Sequence, residues 1–267
     1  MTSAARSLTP DDLATLRWAT QHLEHPSLAA RLTSVVGTPI EMAVKLLPRP
    51  LYRRIHQIAD KAIGKVLESA VVSLRGPAVT DPRLGYYRGL AAASGALGGA
   101  FGLLGLALEL PISTALMLRS IAAIAQAQGE DIDTPTTRMA CLEVFALGGH
   151  APSDDAAETG YYGIRLAFAL SVSSALTHIA QRGLSAEGAP LLVGLMRAIS
   201  SRFEVAVSEK VAAQAVPAIG AAGGAAINLI FMSHYQEMAR GHFVVRRLER
   251  KYGAALVQAE YERLCKD

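Results

Sequence analysis

Apolar residues recur at helical spacing along most of the chain. Between Pro50 and Leu74, Leu51, Ile55, Ile58, Ile63, Val66 and Leu67 fall on one side, and Arg53, Arg54, Lys61 and Lys65 fall on the other. Recurrence every three to four residues is the pattern of an amphipathic helix. Start signals repeat as well. Thr9-Pro10-Asp11-Asp12 offers an N-cap, a proline for the first turn and acids that suit the helix dipole. It opens a helix with Leu13, Leu16 and Trp18 that ends near Pro26. Residues 27–47 read as helix interrupted at Gly37–Pro39. The run RGPAVTDPRLGYY is a turn-rich connection.

Further helices are predicted from Tyr86 to Leu108, from Pro111 to Gln128, from Thr134-Pro135 to Gly148-Gly149 and from Ser153 to Arg182. Shorter ones follow at Pro190–Ser200 and Arg202–Val216. A long one runs from Pro217 to Lys251, and a last short one from Ala254 to Cys265. A break is expected at Leu110, because the residue before a proline is pushed out of the α region. No run of alternating strand residues and no strand-type hairpin signal occurs. The expectation is an all-α, single-domain helical bundle of about ten helices around two Gly/Ala-rich core helices. Residues 1–45 are read as an N-terminal helical segment and 46–267 as the main all-helical domain.

The two Gly/Ala-rich stretches set this chain apart. Gly89 to Leu108 carries no charge, and Val211 to Met232 is interrupted only by Gln214, Pro217 and Asn228. About twenty apolar residues can span a bilayer, but strong insertion comes from Leu, Ile, Phe and Val, and these stretches are mostly Ala and Gly. Four readings stay open: crossing a membrane, packing in a soluble core, lining a pocket for an apolar ligand, or forming a helical hairpin that sits in the membrane interface or exchanges between core and lipid. Each interior glycine costs about 1 kcal/mol relative to alanine, and close approach to a neighbouring helix recovers it. Gly95/Gly99, Gly98/Gly102 and Gly220/Gly224 have that spacing, so the two stretches are expected to pack on one another.

Composition agrees. Hydrophobic residues make up 51% of the chain and charged residues 18%, against about 25% charged in ordinary soluble domains. The net charge of +3 is too mild to argue for nucleic acid, and no nucleic-acid partner is expected. Cys141 and Cys265 define no disulfide framework, which fits a reducing compartment. The N-terminus has no apolar signal region before Asp11-Asp12. The expected location is cytoplasmic, with the inner face of a membrane as a place of attachment.

Two quoted stretches carry a family resemblance. They are AAASGALGGAFGLLGLALELPISTALMLRSIAAIAQAQGEDI and SEKVAAQAVPAIGAAGGAAINLIFMSHYQEMARGHFVVRRLERKYG. Together they resemble the EcsC family, in a Gly-rich helix followed by an acid-x-Pro step and a long helix with an Asn-to-Arg ending. Glu109-Leu110-Pro111, Gly220, Gly224, Asn228, Phe231, Ala239, Arg240 and Phe243 match that pattern. The resemblance spans about residues 50–253 and does not place the first 45. It implies a bacterial protein, cytoplasmic or peripheral to a membrane and not an established enzyme. The family is named for a protein encoded beside an ABC exporter. A fainter likeness in style links it to the Gly/Ala-rich senescence domain of lipid-handling proteins.

Candidate chemistry is sparse. Glu109 reads as a carboxylate at a junction between two helices, accepting backbone N–H groups or pairing with an arginine. Buried unpaired, its pKa would rise. Asn228 must satisfy its amide if buried. Glu109 and Asn228 facing each other across the Gly-rich helices would form the polar spot of an apolar cleft, and His234, Glu237 and Arg240 join them as candidates. The histidines and acids of the last long helix lack HExxH spacing, so no metal and no cofactor are expected. No nucleophile elbow, Walker loop or dinucleotide fingerprint occurs. Two basic sets, Arg53, Arg54, Lys61 and Lys65 with Arg49, and Arg246, Arg247 and Arg250 with Arg240 and Lys251, are candidates for an anionic membrane surface or lipid headgroups.

The leading expectation is a non-enzymatic, membrane-associated or lipid-handling accessory protein, with a membrane transporter as a possible partner. The alternatives are an enzyme of unknown type, such as a hydrolase, around Glu109 and Asn228, and a structural or partner-binding helical module.

Overall fold

The structure is a computed structural model that describes residues 7–24, 28–72, 81–100, 105–149, 160–169, 190–215 and 221–266. Every regular element among them is helical: α1 (Pro10–Glu24), α2 (Leu28–Val36), α3 (Ile40–Lys45), α4 (Arg49–Val72), α5 (Leu84–Ala100), α6 (Leu106–Ala127) and α7 (Pro135–Leu147), then α8 (161–169), α9 (Pro190–Gln214), α10 (Ala221–Tyr252) and α11 (Ala254–Leu264). The all-α bundle is thus as expected.

Several start signals act as the sequence implies. Thr9 Oγ1 accepts from the Asp12 amide at 3.3 Å, and Thr134 Oγ1 accepts from the Thr137 amide at 3.3 Å with Pro135 in the first turn. Two expectations fail. Residues 190–214 form one helix, not two. The chain also does not break at Leu110, because α6 begins at Leu106 and carries Pro111 inside it. Proline removes one backbone donor there, and the Ala107 carbonyl that loses it belongs to an exposed residue, where water can serve. The Leu110 side chain is fully buried, and Ser113 and Thr114 hydroxyls donate to the Leu110 carbonyl at 3.1 and 2.6 Å. These contacts outweigh the local preference of a pre-proline residue. The predicted helix over 153–182 lies outside the described residues except for α8.

Inter-helix contacts fix the directions. His56 of α4 meets Glu204 of α9 at 2.7 Å, and one β-carbon added at Gly64 would touch Met196 at 3.5 Å. The steps along the two helices are equal and opposite, so α4 and α9 run antiparallel. Phe203 and Lys210 of α9 meet Tyr235 and Phe231 of α10, again antiparallel. Arg88 of α5 hydrogen-bonds Gln236 and Ala91 meets Asn228, so α5 runs antiparallel to α10. Glu109 and Ser120 of α6 meet Asn228 and Gln236 of α10, so α6 runs parallel to it. The C-terminal end of α5, the N-terminal ends of α4, α6 and α10, and the C-terminal end of α9 therefore share one end of the bundle.

The core is one apolar cluster. Phe145, Phe203, Phe231 and Tyr235 form its aromatic centre, with ring centroids 5.2–6.2 Å apart. Helix α5 packs closely on α10. At Gly95 a β-carbon would overlap the Gly224 carbonyl and the Asn228 side chain, so only glycine permits this approach. The expected packing of the two Gly-rich stretches is met at Gly95 and Gly224. Gly102 and Gly220 lie outside the described residues.

Candidate functional site

Glu109 sits in the first turns of α6, at the favourable end of a helix dipole and not in the expected break between two helices. Its side chain points inward and is 4% exposed. Gly98 makes room, since a β-carbon there would lie 2.9 Å from Glu109 Cγ. Glu109 and Asn228 do converge: Asn228 Nδ2 donates to Glu109 Oε1 at 2.6 Å. The same amide lies 3.0 Å from the Ala91 carbonyl and 3.2 Å from Ser94 Oγ. A residue absent from the sequence-based set completes the cluster. Lys210, fully buried, donates to Glu109 Oε2 at 2.7 Å and lies 4.9 Å from the Phe231 ring centroid.

The carboxylate is thus matched at both oxygens. Burial pushes the Glu109 carboxyl up, but the Lys210 ammonium and hydrogen bonds from Lys210 and Asn228 outweigh it, so its pKa lies below the ordinary value. Burial pulls Lys210 below the ordinary ammonium value, with Glu109 opposing. A carboxylate held ionised, with each oxygen already bonded, is a poor general acid. Asn228 Oδ1 is the buried atom of this group that finds no hydrogen-bond partner among the described residues. Lys210 was legible in principle: Phe203, Val207 and Lys210 follow helical spacing and share a buried face, so a cation there required an internal anion.

The other cleft candidates lie elsewhere. His234 Nε2 donates to the Gly148 carbonyl at 2.8 Å, and burial lowers its pKa to about 4, so it is neutral and structural near neutral pH. Glu237 pairs with Arg31 at 2.6 Å. Arg240 stacks 4.5 Å over the Trp18 ring. None of the three joins Glu109. A second polar group missed in the sequence surrounds His242. Tyr161 Oη and His242 Nδ1 are 3.0 Å apart, and Glu143 Oε2 lies 3.8 Å from His242 Nε2. Burial lowers the pKa of His242 and raises that of Glu143. Their neutral forms are favoured, as in a packed interior. Among the described residues no cluster of three or more His, Cys, Asp or Glu could hold a metal ion.

The two basic sets separate. Arg246 donates to Glu130 through Nε and Nη2 at 2.9 and 3.1 Å, and Arg250 also pairs with Glu130. Arg247 and Lys251 reach Asp12 at 3.9 and 2.7 Å. The α4 cations differ. Arg49, Arg53, Arg54, Lys61 and Lys65 are exposed, and no ion pair ties them among the described residues. Exposed Met42, Leu46 and Tyr52 stand beside them in the chain. Among the described residues one helix, at Ala107–Ala127, is long and apolar enough to cross a membrane by length and composition, and 61% of its most apolar window is buried.

No curated protein and no solved structure matches the chain. The sequence pattern of the EcsC protein family matches residues 13–248, which takes in most of the N-terminal segment 1–45 as well as the paired Gly-rich helices. A match over that share of the chain places this protein in the EcsC family.

Proposed function

We propose that the chain is a non-enzymatic accessory module that works at an anionic membrane surface, handling lipid or another apolar ligand there in support of a membrane transporter. The carrying observation is the solvent face of α4, where Arg49, Arg53, Arg54, Lys61 and Lys65 are exposed and unpaired among the described residues. Cations near an anionic leaflet contribute about 1 kcal/mol each, whereas cations consumed by internal carboxylates contribute little. Exposed Met42 and Leu46, just before α4, and Tyr52 on it add apolar surface beside these cations.

The enzyme reading draws on the convergence of Glu109 and Asn228. The closed Lys210 pair opposes it, since the carboxylate that would act as acid or base is already neutralised by a buried ammonium.

The test is co-sedimentation with vesicles of pure phosphatidylcholine and of phosphatidylcholine mixed with phosphatidylglycerol. The protein should pellet with the anionic vesicles at low salt and be released at high salt. Arg53→Glu with Arg54→Glu should weaken binding by at least tenfold, at about fivefold per cation. Protein that stays in solution with the anionic vesicles at low salt would end this reading.

A further inference from the structure

We infer that the shared end of α5 and α6 is an insertion wedge, with Leu97, Leu108 and Ile112 entering the hydrocarbon edge of an anionic bilayer. The inference rests on the membrane-surface reading and adds a second, apolar point of contact. Leu97 is 68%, Leu108 75% and Ile112 54% exposed. We read them as one ridge. Gly98 touches Glu109, so the preceding residues Leu97 and Leu108 flank the closest approach of the two helices. Ile112 follows Leu108 by one turn of α6. Exposed Leu229 of α10 lies next to Asn228, at the same end.

The chemistry of this end favours lipid. Among the described residues 89–100, 105–118 and 221–233, the sole ionisable side chain is Glu109, and it is turned inward onto Lys210. The buried pair hides the carboxylate of α6 that would otherwise meet hydrocarbon, where a charge is expensive. Cations stand at the same level. Continuing the antiparallel register set by His56 with Glu204 and Gly64 with Met196 brings Lys210 level with Pro50, between Arg49 and Arg53. An apolar ridge level with arginines that have no ion pair among the described residues matches a bilayer whose hydrocarbon lies beneath anionic headgroups. A second copy of the chain fits less well. A two-fold contact through this end would press both sets of Arg49 and Arg53 against their own kind, and like charges across an interface are penalised.

The ridge can be read with an environment-sensitive fluorophore. Cys141 is buried and Cys265 exposed, so a Cys265→Ser background leaves one added thiol to label. The dye is placed at Leu108→Cys, and, as a control, at Ala255→Cys on exposed α11 at the far end of α10. With phosphatidylglycerol-containing vesicles, the dye at 108 should shift to the blue and be quenched by a lipid carrying a nitroxide on its acyl chain. The dye at 255 should do neither. Leu108→Glu with Ile112→Glu should weaken vesicle affinity by at least tenfold with an unchanged melting temperature, because both side chains are already in water. Protein that sediments with anionic vesicles in a salt-reversible way, without a shift at 108, would overturn the wedge and leave the surface reading standing. Protein that never sediments would overturn both. Equal shifts at 108 and 255 would overturn the wedge, since they report insertion without a defined end.

Discussion

The C-terminal part of α10 and the solvent face of α4 carry similar numbers of cations at similar spacing, and the fold uses them differently. In α10 the cations answer acids far away in sequence: Arg246 and Arg250 share Glu130, while Arg247 and Lys251 reach Asp12. These pairs tie α10 to the start of α1 and to the turn after α6. In α4 the cations answer nothing among the described residues. Its ion pairs there instead run through His56, to Glu204 at 2.7 Å and Asp60 at 3.3 Å. A cation with an internal partner is part of the architecture. A row of cations without one is surface held ready for an external anion, and only the second kind supports a membrane role. The same lesson separates Glu109 from an active-site carboxylate, because its partner Lys210 is built into the core.

The largest effect expected along this divide is in the core. Lys210→Ala leaves a buried carboxylate without its cation and should cost about 3–5 kcal/mol, read by equilibrium urea unfolding. The double variant Lys210→Met with Glu109→Gln should recover most of that loss. A cost below about 1 kcal/mol for the single change would break the assignment of Lys210 as an architectural cation.

A middle effect is expected at Glu130. Glu130→Ala strips Arg246 and Arg250 of their shared acceptor and should lower stability by about 2 kcal/mol, the scale of hydrogen bonds to charged groups. Arg53→Gln with Arg54→Gln should change it by no more than about 0.5 kcal/mol, as for ordinary surface changes. Equal losses from the two sets would dissolve the comparison.

The smallest effect is in acid. Hydrogen bonds from Lys251, Tyr252 and Thr9 outweigh the modest burial of Asp12 and hold its pKa at about 2, from an ordinary 3.8. A depressed carboxyl contributes stability that is complete above its unfolded value and is lost as pH falls through the folded one. The stability gap between the parent protein and Asp12→Asn should therefore be constant above pH 5 and shrink between about pH 4 and pH 2. A gap that stays constant through that window would remove the ion pairs of Asp12 from the account.

Much of the fold was legible in the sequence. Apolar spacing and caps at Thr9 and Thr134 marked the helices, and the glycine spacing announced the contact of α5 with α10. The break expected at Leu110 was a local rule defeated by burial of that side chain and by the Ser113 and Thr114 hydroxyls on its carbonyl, and the division of α9 at Ser200 failed because that serine is a buried part of one continuous helix. For the candidate site, Glu109 and Asn228 were visible as polar residues in apolar stretches, but His234, Glu237 and Arg240 share a helix with Asn228 and not its surroundings. Their partners, Gly148, Arg31 and Trp18, come from other elements.

The sequence by itself determined what is local: helical periodicity, caps, the small residues that let two helices approach, and the inventory of charges. Tertiary structure alone decided which charges are spent inside and which face outward. Hydrogen bonds and ion pairs act over a few ångströms, and the chain distances that the fold closes, from Glu109 to Lys210 or from Asp12 to Lys251, leave no mark in the periodicity of either partner's own helix.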